Sequence, residues 1–331
     1  MSSFDRRSII LNSINFAATS SLSPRKQPAK MYTNPVWAHD FPDPHFMLHD
    51  GKVYAYATET PGFKFQVMES RDLVHWTHKG TAFTPPWSTE HYWAPEVVFH
   101  NHQFYMTYSA KNPVTLKHDI GIATCKSPTG PFRDQGILVF GADNKVGVID
   151  ATLYFEGSQE YILYSEEEPR RIVMKRMSPD LLSTIGDSVE IIKPDREWER
   201  NVTEAPTLIK RNGKFHLFYS AGYYQSSRHD ASYCIAHALA NQVQGPYTKT
   251  GALVATIPGK IYGPGHQTII DLPSSETWIG YHAWDDQNDP RYGSNPLGRT
   301  LRIDRLHWSG DIPWVEGPSV EPRKAPNILP K

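Results

Sequence analysis

A short pattern recurs along this chain and restricts its folding more than any other feature. APEVVFHNHQFYMTYS (94–109) and DATLYFEGSQEYILYS (150–165) each run from an apolar segment, through a polar turn, into an aromatic segment ending in Tyr-Ser. EAPTLIKRNGKFHLFYS (204–220) repeats the form with one extra turn residue. DPHFMLHDGKVYAYAT (43–58) stands before these and GHQTIIDLPSSETWIGYHA (265–283) after them. The units start near residues 43, 94, 150, 204 and 265, so successive steps are 51, 56, 54 and 61 residues. Asp50-Gly51 and Asn212-Gly213 are strong hairpin signals, because a type I′ turn needs positive φ at both central positions. A second pair of β-like runs follows each hairpin. Two of these, GIATCKSPTGPFRDQG and SYCIAHALANQVQGPYTKTG, share a Gly-Pro-aromatic tripeptide. Four short strands per unit, repeated five times, predict an all-β fold: a five-bladed β-propeller, one domain spanning residues 31–331. A β-sandwich with a second domain would leave the repeat unexplained.

Composition agrees with this and excludes other classes. Aromatic residues make up 12% of the chain and there are 27 prolines, as short strands and tight connections require. Lysine plus arginine is 34 against 35 for aspartate plus glutamate, a net charge of −1. That balance argues against nucleic acid as a partner, since a phosphate backbone calls for a basic excess. No run of 18 apolar residues exists, so no membrane-spanning helix is expected. Cys125 and Cys234 lie in alternating apolar runs and read as free strand cysteines rather than a staple. Residues 1–30, serine-rich with Arg6-Arg7 before a weakly apolar run, read as a leader or a disordered extension. The protein is therefore expected to be soluble, in the cytoplasm or exported.

The start of each repeat should be the innermost strand of its blade, facing a central pocket. Asp43, Asp150 and Glu204 fall there, within one residue of one another in the repeat alignment. Ala94, flanked by Trp93 and Glu96, takes the place in the second unit, and His266 in the fifth. Three carboxylates would thus converge although they are far apart in sequence. Inverting glycoside hydrolysis needs such a set. One carboxylic acid protonates the leaving oxygen and one carboxylate activates water, roughly 6.5–9.5 Å away. A third can hold the acid's pKa up. Taken singly, Asp43 in FPDP could cap a turn and Glu204 in NVTEAP could be a loop acid. Asp150 sits in an apolar surround, where a carboxylate is costly.

DFPDPHFMLHDGKVYAYAT, YWAPEVVFHNHQFYMTYS, VIDATLYF, TEAPTLIKRNGKFHLFYS, YGPGHQTII and GRTLRIDRLHW, in that order, resemble glycoside hydrolase family 43. The resemblance implies a five-bladed propeller and an inverting hydrolase of arabinose- and xylose-containing polysaccharides. It implies Asp43 as general base, Glu204 as general acid, and Asp150 as the residue that raises and orients the acid. It implies Trp93 lining the sugar subsite, His266 at the funnel floor and Arg299 hydrogen-bonding the sugar. No cofactor is implied as required. A calcium ion near the matching histidine of arabinan-cleaving relatives makes calcium near His266 a further expectation, although no oxygen-rich Asp/Asn loop is evident here. Many β-xylosidases of the family carry a β-sandwich after the propeller; this sequence ends near the last expected strand. The first reading is an exo-acting α-L-arabinofuranosidase. Endo-arabinanase, β-xylosidase and a purely carbohydrate-binding propeller are the alternatives. His39, Asp40, His229 and Asp230 read as solvated rim residues.

Overall fold

The structure is a computed structural model and describes residues 30–141, 146–168, 170–224, 231–286 and 297–328. It is all-β, with five antiparallel sheets arranged as the blades of a propeller. The first blade comprises His45–His49, Lys52–Ala57, Gln66–Ser70 and Trp76–Thr81. The second comprises Trp93–His100, Gln103–Lys111, His118–Cys125 and Arg133–Val139. The third runs through Val148–Glu156, Gln159–Glu167, Arg170–Met177 and Thr184–Ile192. The fourth runs through Thr203–Arg211, Lys214–Ala221, Cys234–Ala240 and Thr248–Val254. The first strands of neighbouring blades touch one another round a closed ring, which makes them innermost as the repeat predicts.

The turn chemistry behaves as the sequence suggests. Asp50 (φ 48°) and Gly51 (φ 69°) form a two-residue turn between paired His49 and Lys52. Asn212 (φ 49°) and Gly213 (φ 75°) do the same between Arg211 and Lys214. Both blade faces are apolar, so each blade packs on two neighbours, and there is one buried cluster for each blade–blade junction. Tyr56, Phe65 and Val67 meet Val97, Phe104 and Tyr108 between blades one and two. Leu163 and Met174 meet Leu217 and Tyr219 between blades three and four. Side chains of this size stabilise by roughly 1.5–3 kcal/mol each when fully buried. Cys125 and Cys234 are both free, Cys234 buried and Cys125 half-buried.

The fifth blade departs from the simple repeat. Its strands are Ile261–Asp271, Thr277–Asp285 and Arg299–Ser309, and its fourth is Trp37–Asp40 from the start of the chain. Trp37 pairs with Leu301 and Asp40 with Thr300. The ring is thus closed by joining the two ends of the chain within one sheet. Met31–Tyr32 adds a second tie by pairing with Arg323–Lys324. Asp40 is therefore not the solvated rim residue expected of it. It sits in the closing strand, half-buried, and its Oδ1 accepts the Arg299 N–H at 2.8 Å. His39 beside it is exposed, whereas His229 and Asp230 lie outside the described residues. Residues 1–29, most of the expected leader, also lie outside them.

Candidate active site

The five innermost strands share a backbone irregularity where the acids lie. Asp43, Ala94, Asp150, Ala205 and His266 all take left-handed conformations, with φ between 45° and 56°. In four blades it coincides with a register shift, between Trp93/Glu96, Ile149/Thr152, Glu204/Thr207 and Gly265/Thr268. An extra residue on the inner strand is a β-bulge, which re-aims side chains at a barrel or propeller mouth. It also turns one N–H out of its own ladder, and each is satisfied by the preceding blade. Ala94 N–H donates to Thr58 Oγ1 at 2.8 Å, and Asp150 N–H to Ser109 Oγ at 3.1 Å. Ala205 N–H donates to Ser165 Oγ at 3.1 Å, and His266 N–H to Ser220 Oγ at 2.8 Å. These acceptors are the Ser of the recurring Tyr-Ser endings and its Thr counterpart. The fifth acceptor differs: Asp43 N–H donates to His282 Nδ1 at 3.0 Å.

This frame fixes the one-residue offset within the repeat alignment. Asp43 and Asp150 occupy the left-handed position itself, whereas Glu204 stands one residue earlier, at the register of Trp93. The bulge nonetheless turns all three into one cavity, along with Trp93, His266 and Arg299. The six residues singled out from sequence are therefore brought together. The cavity encloses about 690 Å³ counted out to its open mouth.

The three acids are in different electrostatic states. Asp43 Oδ1 lies 2.9 Å from Arg299 Nη1, and its Oδ2 accepts from Thr58 Oγ1 at 2.5 Å. Burial pushes its pKa up, but the Arg299 guanidinium, His266, His282 and the Thr58 hydroxyl together outweigh burial and hold the carboxyl well below the usual range. Asp43 is thus an ionised carboxylate. Arg299, expected to bind sugar, is committed at least in part to this partner. His266 Nδ1 is 3.5 Å from the same oxygen, and burial lowers its pKa. Asp150 and Glu204 are 7% and 6% exposed, with pKa values raised first by burial; Glu204 raises Asp150 further. Two interacting carboxyls buried in one pocket raise each other's affinity for a proton. For Glu204 the rise is opposed by Arg170, whose Nη1 is 3.5 Å from Oε2, and by Tyr233, whose hydroxyl donates to Oε1 at 2.6 Å.

Tyr233, Arg170, Glu167 and Tyr224 also line the cavity, and the sequence reading did not find them. Glu167 ends the second strand of blade three and Arg170 starts its third, while Tyr224 and Tyr233 come from the connection that follows Ala221, all beyond the segments in which the repeats align. Gly265 of the GPGH motif explains Tyr233, since a Cβ on Gly265 would overlap the tyrosine ring. Trp93 is backed by His91, stacked at 4.7 Å between ring centroids, and by His118 at 4.3 Å. His118 bridges His91 (2.9 Å) and Glu167 (2.6 Å), so the tryptophan wall rests on a polar chain. Below the acids, burial pushes the Glu96 carboxyl up to about 8.

The donors about His266 do not suit calcium. Asp43, the nearest carboxylate, is already engaged by Arg299 and Thr58, whereas calcium takes six to eight oxygens. Among the described residues, no group of three or more His, Cys, Asp or Glu side chains could hold a metal ion. No helix among them is long and apolar enough to cross a membrane.

Fold and site together define a propeller in which a carboxylate of lowered pKa and two carboxyls of raised pKa line one cavity, the division of roles that acid–base cleavage of a glycoside requires. Comparison with known proteins agrees. The family model for glycosyl hydrolases family 43 matches residues 32–313, and the chain belongs to that family. It is 25% identical over 320 residues to an extracellular exo-α-(1→5)-L-arabinofuranosidase of Streptomyces avermitilis, covering 86% of this chain and 63% of that enzyme. The chain thus spans less than two thirds of that relative's length. It is 25% identical over 289 residues to extracellular endo-α-(1→5)-L-arabinanase 1 of Bacillus subtilis, covering 82% and 86%. Among solved structures it resembles a thermostable family-43 glycoside hydrolase, with a TM-score of 0.78 and 34% identity over 89% of this chain and 99% of that one.

Proposed function

We propose that the protein is an inverting, exo-acting α-L-arabinofuranosidase that removes terminal arabinose from arabinose-containing plant polysaccharides. The observation that carries the reading is the split among the carboxyls. Asp43 is held ionised by Arg299, while Asp150 and Glu204 are pushed toward their protonated forms in the same cavity. Asp43 takes a proton from water as that water attacks the anomeric carbon. The bond to the leaving oxygen breaks, and that oxygen takes the proton of Glu204. The step leaves Asp43 protonated and Glu204 ionised, with configuration inverted. Asp150 keeps the pair's affinity for a proton high. Trp93 offers an aromatic face to the sugar, and His266 floors the site. No step is routed through a metal, and a chelator is expected to leave turnover unchanged. Arabinose specificity is supported by the names of several relatives, both exo- and endo-acting.

The test is hydrolysis of an aryl α-L-arabinofuranoside, an aryl β-D-xyloside and linear arabinan, with Glu204→Gln as control. Release of arabinose that the variant loses supports the reading. Oligosaccharides from arabinan without aryl-glycoside cleavage would replace it with endo-arabinanase, and xylose release with β-xylosidase. Sugar binding without cleavage of any substrate would indicate a binding propeller.

A further inference from the structure

Four of the five blades satisfy the turned-out N–H of the next blade with a hydroxyl: Thr58, Ser109, Ser165 and Ser220. Blade five uses an imidazole. His282 is fully buried and pairs in register with Gly265. Because Nδ1 accepts the Asp43 N–H, the ring is neutral with its proton on Nε2, and burial keeps it so by pushing its pKa well below the ordinary value. Nε2 has no hydrogen-bond partner among the described residues. A serine would serve the backbone as well without burying a second nitrogen. The substitution therefore calls for a reason beyond blade closure.

The ring's other contacts supply one. Its Nδ1 is 3.3 Å from Asp43 Oδ1, and its face stacks on Tyr233 at 5.9 Å between centroids and 12° between planes. Tyr233 also packs against the bare backbone of Gly265, the cross-strand partner of His282, and its hydroxyl grips Glu204 Oε1 at 2.6 Å. One side chain thus touches the residue assigned as base and the tyrosine that orients the residue assigned as acid. We propose that His282 is a positioning residue that sets the separation of Asp43 and Glu204, through its hydrogen bond to the Asp43 backbone and its stacking on Tyr233. The inference rests on the assignment of Asp43 and Glu204 as base and acid. The spacing of those two groups must admit one water and one anomeric centre, so a ring that braces both acts on turnover rather than on affinity.

The test compares His282→Ser, which keeps a hydroxyl acceptor as in the other blades, with His282→Asn. The asparagine oxygen stands where Nδ1 stands, and its planar amide keeps a face on Tyr233. Aryl-glycoside kinetics and thermal unfolding are measured for both, with Asp43→Asn alongside. The expected result for His282→Ser is a fall in kcat of roughly 10–100-fold with KM nearly unchanged, the scale of a misplaced catalytic group. His282→Asn should recover most of the loss at the same Tm. Wild-type kcat in His282→Ser would overturn the proposal. So would losses of kcat that follow losses of Tm in both variants, since blade closure alone would explain them. Wild-type turnover in Asp43→Asn would instead remove the base assignment, and the proposal with it. An inactive Asp43→Asn beside an unimpaired His282→Ser would sink the positioning role alone.

Discussion

Arg299→Met separates two roles for one arginine. The guanidinium lies 2.9 Å from Asp43 Oδ1, with both groups mostly buried. Two unit charges at that distance attract by about 6 kcal/mol at an effective dielectric near 20. At about 1.36 kcal/mol per pKa unit this is roughly four units, before any water enters the space. Neighbouring cations in proteins shift carboxylates by roughly 1–3 units, and we take that as the expected change. The sign is fixed by the role of the group. A general base must be ionised, so activity falls as pH drops through its pKa. Arg299 lowers that pKa; removing it raises the pKa and moves the acid limb of the profile toward neutrality.

The assay is kcat/KM against pH on an activated aryl glycoside, because that ratio reports the ionisations of the free enzyme. Wild type should stay active far into acid, as far as the fold survives. Arg299→Met should show an acid limb roughly 1–3 units higher, and Arg299→Lys should restore part of the difference by returning the charge. A uniform fall in kcat/KM with the limb unmoved would refute the argument. It would return Arg299 to sugar binding alone.

Glu204→Gln should reduce turnover on poor leaving groups by roughly 10²–10⁴-fold and much less on activated aryl glycosides, which need little protonation. Equal losses on both would remove Glu204 from the acid role. Asp150→Asn should move the basic limb of the pH profile down, since a coupled neighbouring carboxyl no longer helps Glu204 keep its proton. An unmoved limb would leave Asp150 without that role. Gly265→Ala places a methyl group in the Tyr233 ring, so kcat should fall by roughly 10²-fold, with a loss of stability of about 1–3 kcal/mol from overpacking. Wild-type kcat there would mean that the tyrosine does not hold the acid.

The repeat made most of this architecture readable, and its limits mark what was not. Hairpin turns and apolar alternation are local properties, so five units and their order could be counted along the chain. Ring closure is not local. Trp37–Asp40 carries only four residues and pairs with a strand some 260 positions away, so nothing near it in sequence marks it as the last strand of blade five. The convergence of Asp43, Asp150 and Glu204 was readable because equivalent positions of repeated units must meet on the axis. Tyr233, Arg170 and Glu167 were not, because they reach the site from strands and connections whose lengths differ between blades.

The one-residue offset of Glu204 shows why a propeller suits this chemistry. Each bulge presents two successive side chains near the axis, the left-handed residue and the one before it. Blade three uses the first of these for Asp150, and blade four uses the second for Glu204, with Ala205 in the left-handed place. The same backbone device therefore offers two distinct positions in each of the four bulged blades. Base and acid can be set at different positions without altering the sheets behind them. What distinguishes the blades is the acceptor beneath each bulge. Four are hydroxyls, of which Thr58 also donates to Asp43 Oδ2, and the fifth, beneath the residue assigned as base, is a neutral imidazole that lies 3.3 Å from Asp43 Oδ1 and stacks on the tyrosine that grips Glu204.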